Sequence, residues 1–392
     1  MLDVVKLFSE RDTRDELGIG TIRDSFAEHF FHGTSTIQTR AKYMLLIPWM
    51  YMELENKKVP SAKIAARARQ FETNLIDTLI KNGDEDGVIG IDAQKNLIRL
   101  PSSIYWTGLA SWGIRLFSGS ITHYHRFLDY YYKQDRLNPT KETDEEYSTQ
   151  RLRYNWHPAI PPPPKDLTSN ARLALTHNEA DYLRERVFIR HPDSLLVEML
   201  RTKRVYKTDY PWEHPVAKST KPDLSTTISH AQNFSEIIHG AALLYNLMLS
   251  EAAEREDWVV DYEKRLIDWS AALGTRNSDL SKWYSNIGNF WACSALNASR
   301  IPPLTRSFVG RWLQFVFESP GAGKVAWDGS VRSLVTARES QLKGSRARLS
   351  NRSALNRWRG ESGTGRLTYR WNTASTFVAD ILKGLRGNFN LA

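Results

Sequence analysis

The chain contains a single cysteine, Cys293, in 392 residues. One thiol cannot form an internal disulfide framework, and so little cysteine suits a reducing compartment; a cytoplasmic location is expected. No run of apolar residues is long enough to span a bilayer, and the mean hydropathy is −0.47, so no membrane partner is expected. The opening MLDVVKLFSERD is charged within three residues and has no secretory-signal core. Signatures of catalysis are also scarce. There is no nucleophile elbow and no zinc-protease helix. SPGAGK, ending at Lys324, resembles a phosphate loop only superficially: Glu318 stands where that loop needs its first glycine, and Val325 where it needs a magnesium-binding hydroxyl. His29-x-x-His32 and His123-x-His125 have no cysteine company and unsuitable spacing, so no metal is expected. Asp84, Glu85 and Asp86 lie between glycines and read as a solvated turn. No cofactor is implied.

Basic charge is present, and it is concentrated. The net charge is +9. Residues 1–330 carry equal numbers of basic and acidic side chains, whereas residues 331–370 carry ten basic residues against Glu339 and Glu361. A local excess points to a polyanionic partner more strongly than a uniformly high pI does. Nine of the ten are arginines, whose planar fork matches phosphate and stacks on bases. Arg346, Arg348, Arg352, Arg357 and Arg359 are the expected phosphate contacts. Trp358, Tyr369 and Trp371 interleave as stacking surfaces. The competing reading is a helical face neutralised by acidic groups elsewhere in the chain.

The expected fold class is mainly α. A helix over residues 3–11, a second opening at Thr21 with Asp24 as capping partner, and a third from about Ser35 with Pro48 as a kink suggest a helix-turn-helix. The third helix would present Gln38, Thr39, Arg40 and Lys42, residue types that read base edges and phosphates. A helix over 61–81 and two short apolar runs, Val88-Ile89 and Leu97-Ile98, add a β-hairpin and complete a winged-helix-like region. An acidic run at 142–146 and four prolines at 161–164 mark a stiff linker. A larger all-helical domain follows, with its spine over 229–256 and a capping box at Thr176 and Glu179. The expected organisation is an N-terminal domain over 1–137, a linker over 138–170, a helical domain over 171–330 and the Arg-rich segment over 331–392. The thirteen tryptophans mostly sit in apolar helices and read as core.

Four blocks carry a resemblance: RDTRDELGIGTIRDSFAEHFFHGTSTIQTRAKYMLLIPWMY, LPSSIYWTGLASWGIRLF, HAQNFSEIIHGAALLYNLMLSE and RARLSNRSALNRWRG. Together they resemble an uncharacterised bacterial family, a domain of unknown function associated with phage-defence gene clusters beside helicase and phospholipase-D-type nuclease genes. The resemblance implies a role in antiviral defence and supplies no catalytic residues. The functional expectation is a non-catalytic component of a multi-protein defence complex that binds duplex DNA through its Arg-rich segment. Two alternatives stand beside it. One is a structural adaptor docking an acidic protein partner such as a helicase or nuclease subunit. The other is a metal-dependent nuclease whose acidic site is dispersed in sequence.

Overall fold

Helices supply every regular element among residues 15–137, 155–295 and 300–387, the residues described in this computed structural model. The expected helix over 3–11 and the acidic run at 142–146 lie outside them. Among the described residues the only β pairing is an isolated antiparallel bridge between Arg115 and Trp156. No helix there is long and apolar enough to cross a membrane. The chain divides into two compact units, Met1–His29 with Tyr210–Tyr369 and Phe30–Asp209 with Arg370–Ala392. Both are discontinuous in sequence: residues 1–137, 171–330 and 331–392 each contribute to both, and 138–170 fall in the second.

The first unit is built on the helix Pro222–Ala252, which has proline at its first position and twenty buried residues. Two tryptophans donate their indole N–H to its backbone: Trp269 to the Glu236 carbonyl at 2.8 Å and Trp312 to the Ile237 carbonyl at 3.0 Å. Gly240 is where the first of these rings comes in; a Cβ there would stand 2.3 Å from the Trp269 ring. Phe234, Phe290 and Trp283 extend the core, with ring centroids about 5 Å apart. The helices Glu256–Thr275, Pro303–Phe317 and Gly329–Lys343 pack around this spine.

The second unit is centred on the helix Tyr43–Asn56, whose buried positions include the unbroken run Tyr43–Tyr51. A helix buried on nearly every face shows little amphipathic periodicity in its sequence. Pro48 lies inside it. Tyr51, Trp106, Tyr124 and Trp156 form an aromatic cluster around it. The helix Ser61–Lys81 follows the expected limits, the helix Pro101–Ser111 opens on its proline, and the capping box of Thr176 and Glu179 is present at the start of the helix His177–Arg190. The described part of the proline stretch packs within this unit: the Trp49 indole donates to the Pro161 carbonyl at 2.8 Å, and Pro163 and Pro164 line a cavity of about 340 Å³ with Trp49 and Met52.

The winged-helix expectation is corrected at two places. Residues 34–42 are turns, and the helix begins only at Tyr43. Polar side chains there bind local backbone, which competes with helix formation. The Gln38 side chain accepts from Ser35 N at 3.0 Å and donates to the Gly33 carbonyl, and the Thr34 hydroxyl donates to the Phe31 carbonyl at 2.6 Å. The expected hairpin over 88–98 is a series of turns with a short 3₁₀ helix, Gln94–Asn96. Its backbone finds partners in other segments rather than in a second strand. Ile89 N donates to the Tyr43 hydroxyl, and the Gly87 carbonyl accepts from Thr39. Gly87 and Gly90 have left-handed φ values of 85° and 88°, which break an extended run. Of the four apolar residues that suggested strands, Ile98 is 94% exposed. The second helix starts at Gly20, so Thr21 lies inside it, and Asp24 pairs with Arg23.

Glu72 is buried in the second unit and accepts from Ser102 N at 2.6 Å and the Ser102 hydroxyl at 3.0 Å. Burial pushes its carboxyl from 4.5 up to about 7, against the lowering effect of the Ser102 hydrogen bonds. A folded-state pKa above the unfolded one makes the fold lose stability as pH rises between those values. Glu72→Gln keeps an acceptor for Ser102 and removes the ionisation. Denaturant titrations from pH 4.5 to 7 should show wild type losing on the order of 3 kcal/mol across this window from this group, and the variant lacking that loss. Equal pH slopes would contradict the assignment.

Candidate nucleic-acid interface

The Arg-rich segment belongs to the first unit up to Tyr369, and a buried charge cluster holds it in place. The cluster starts from two carboxylates. Glu339, on the helix Gly329–Lys343, is fully buried. It accepts from Lys343 Nζ at 3.0 Å, Arg348 N at 2.9 Å, Leu349 N at 3.0 Å and the Tyr245 hydroxyl. Glu16, brought in from the start of the described chain, pairs with Lys343 and with Arg348 Nη1 at 3.0 Å, and accepts from the Ser362 hydroxyl. Asn246, on the spine helix, grips Ser362 in both directions: its carbonyl oxygen accepts from Ser362 N at 2.9 Å and its amide donates to the Ser362 carbonyl at 2.8 Å. Two carboxylates therefore balance two cations in a site where an unpaired charge would be expensive.

The ionisation states follow from these contacts. Burial alone would raise Glu16, but hydrogen bonds from Lys343 and Ser362 and the charges of Lys343 and Arg348 bring its carboxyl down from 4.5 to about 2. Burial is likewise outweighed at Glu339, lowered by hydrogen bonds from Tyr245, Leu349 N, Arg348 N and Lys343. Burial raises the Tyr245 hydroxyl, and its donation to Glu339 adds to that shift. The cluster thus consists of ionised carboxylates, a protonated phenol and two cations.

The other basic residues of the segment sort by their partners. Arg338 donates to the Leu17 carbonyl at 2.8 Å, the Gly18 carbonyl at 2.9 Å and the Thr305 hydroxyl at 2.8 Å. Arg332 pairs with Glu251, and Arg366 pairs with Glu236 at 3.1 Å while stacking on Tyr210. Arg352 donates to the Ala252 carbonyl at 2.9 Å, near the C-terminal end of the spine helix, and lies 3.7 Å from Glu254 with its side chain largely exposed. Arg370 falls in the second unit and donates to the Thr34 carbonyl. Arg346, Arg357 and Arg359 are exposed, with no carboxylate partner among the described residues. Of the five arginines expected on phosphate, the structure presents these three outward, leaves Arg352 partly engaged and encloses Arg348 in the cluster.

The expected stacking residues are buried instead. Trp358, Tyr369 and Trp371 are respectively 6%, 1% and 1% exposed. Trp358 packs edge-on against Trp258, and the Tyr369 hydroxyl donates to the Ala231 carbonyl. The four residues expected on a reading helix lie in the second unit with internal partners. Gln38 and Lys42 are buried; Lys42 pairs with Glu179 at 2.6 Å. Thr39 donates to the Gly87 carbonyl at 2.6 Å, and Arg40 pairs with Asp380 at 2.7 Å and donates to the Asp86 carbonyl. Their polarity is spent on holding the turn that precedes Tyr43. Among the described residues no group of three or more His, Cys, Asp or Glu side chains is placed to hold a metal ion.

A family model matches residues 2–384. The chain belongs to DUF6361, a family of unknown function. The match brings no activity with it and nothing about phage defence. No curated protein and no solved structure matches. The site in this DUF6361 chain therefore has to be argued from its own geometry.

The depressed Glu16 pKa gives a sign. With a folded value below the unfolded one, its contribution to stability is present above pH 4.5 and is lost as pH falls toward 2. Denaturant titrations should show wild type losing on the order of 3 kcal/mol from this group across that range. Glu16→Gln should lack this loss and be less stable at pH 7. Acid limbs of equal steepness would show that Glu16 does not carry the charge of the cluster.

Proposed function

We propose that the chain is a non-catalytic component that binds duplex DNA through the outward arginines of residues 346–359. The observation that carries this reading is the division among the basic residues. Seven of the ten in residues 331–370 have partners in the chain, while Arg346, Arg357 and Arg359 reach solvent on a segment whose backbone is held by Glu339 and Asn246. Held, uncompensated guanidinium groups suit a polyanion: they bind phosphate in a planar fork, and a fixed backbone reduces the ordering cost on binding. Arg352 can join them by giving up a weak, exposed contact with Glu254. The sequence resemblance suggests an antiphage complex with a helicase or nuclease as the setting.

A structural adaptor is the second reading. On the helix Glu256–Thr275, Val260 and Ile267 lie two turns apart on one face and are 66% and 54% exposed, an apolar pair beside the acidic Glu263 and Asp268. In that case the arginines would meet an acidic protein surface and the isolated chain would ignore DNA.

The variant with alanine at Arg346, Arg357 and Arg359 separates the two. These side chains are exposed and form no hydrogen bond or ion pair among the described residues, so the melting temperature should stay within a few degrees of wild type. Duplex affinity measured by fluorescence anisotropy at low salt should fall at least tenfold, whatever the base sequence. Unchanged affinity in the triple variant would refute the arginine interface. Failure of wild type to bind DNA at low salt would favour the adaptor.

A further inference from the structure

Tryptophan is a core residue almost everywhere in this chain. Ten of the thirteen are buried, Trp258 and Trp291 are half-buried, and Trp327 stands alone at 59% exposed. Leaving an indole in water forgoes one of the largest gains available to any side chain, so a well-anchored exposed tryptophan calls for an explanation.

Trp327 is well anchored. The two residues before it, Val325 and Ala326, are 1% and 2% exposed, and Trp327 N donates to the Lys324 carbonyl at 3.1 Å. Its neighbours tie it to the arginine surface. The Ala326 carbonyl accepts from Arg332 Nη1 at 2.7 Å, and the same guanidinium pairs with Glu251. One residue further along the spine helix, the Ala252 carbonyl accepts from Arg352. The end of a single helix is therefore tied both to the turn carrying Trp327, through Arg332, and to the middle of the outward arginine segment, through Arg352. Arg255, just beyond that end, lies 4.1 Å from the Trp258 ring, and Gly360 packs close against the same ring. Lys324, three residues before Trp327, adds an exposed cation.

An exposed aromatic ring on a turn tied by Arg332 to the spine helix, with the exposed Lys324 three residues away, suits an unpaired nucleobase, which stacks on the ring while its phosphates meet nearby charges. Paired bases inside a blunt duplex offer no free face. Building on the arginine interface above, we infer that Trp327 stacks on an unpaired base and that the preferred ligand is duplex DNA adjoining a single-stranded segment.

The test compares three labelled DNAs with the same paired region: a blunt duplex, one with a short single-stranded tail, and one whose tail is abasic. The abasic tail keeps the added phosphates and removes only the bases. By anisotropy, wild type should prefer the normal tail over the abasic tail by about five- to a hundredfold, the range expected for stacking one base. Trp327→Ala should abolish that preference and bind the blunt duplex as wild type does, and Trp327→Phe should retain part of it. Equal wild-type affinity for normal and abasic tails, or a preference surviving in Trp327→Ala, overturns the inference while leaving the arginine interface intact. Wild type binding none of the three DNAs overturns both.

Discussion

Neutralisation of buried charge governs the first unit. Glu16 and Glu339 together meet Lys343, Arg348, Tyr245, Ser362 and the backbone N–H groups of residues 348 and 349. Breaking such a cluster by removing one partner costs about 3–5 kcal/mol, because a charge is left in the interior without compensation. The same contacts fix the backbone of residues 344–362, a stretch whose regular structure is limited to a short 3₁₀ helix and the four-residue helix Arg352–Leu355. Asn246 closes the segment onto the spine helix at Ser362. Without these carboxylates Lys343 and Arg348 would repel the other arginines of the segment; with them, part of the charge is internal structure and the remainder is a surface.

That division explains why a charge count overstates the interface. The excess in residues 331–370 was read from composition, and composition does not reveal partners far along the chain. Glu16 lies more than three hundred residues before Arg348, and Glu236 and Glu251 sit on a helix that the sequence marks only as apolar core. Arg346 and Arg348 are two positions apart and look equivalent in sequence. One reaches water at the end of the 3₁₀ helix Gly344–Arg346, and the other is drawn into the cluster by Glu339 on its N–H and Glu16 on its guanidinium.

Much of the helical architecture was legible beforehand. The helix Ser61–Lys81 and the capping box at Thr176 announce themselves through periodicity and paired capping residues. The errors are local and share a cause. Gln38, Thr39, Arg40 and Lys42 were assigned to an exposed helix face, but each hydrogen-bonds to distant or local backbone and carboxylate groups that no helical period displays. Val88-Ile89 and Leu97-Ile98 looked like paired strands because apolar dipeptides flank a polar turn; tertiary hydrogen bonds to Tyr43 and Thr39 replaced the ladder. Trp327 follows SPGAGK in a sequence context like that of the other tryptophans, and only its exposure distinguishes it from the other twelve.

On the proposed reading Arg346, Arg357 and Arg359, rather than every arginine of the segment, are available to a polyanion. The salt dependence of wild-type duplex binding tests it directly. Three neutralised phosphates predict a slope of log affinity against log salt of about −2.7 for B-form DNA, and about −3.6 where Arg352 joins them. A slope near −4.5, the value for five phosphates, would mean that Arg348 reaches the backbone as well, which would contradict its assignment to the buried cluster.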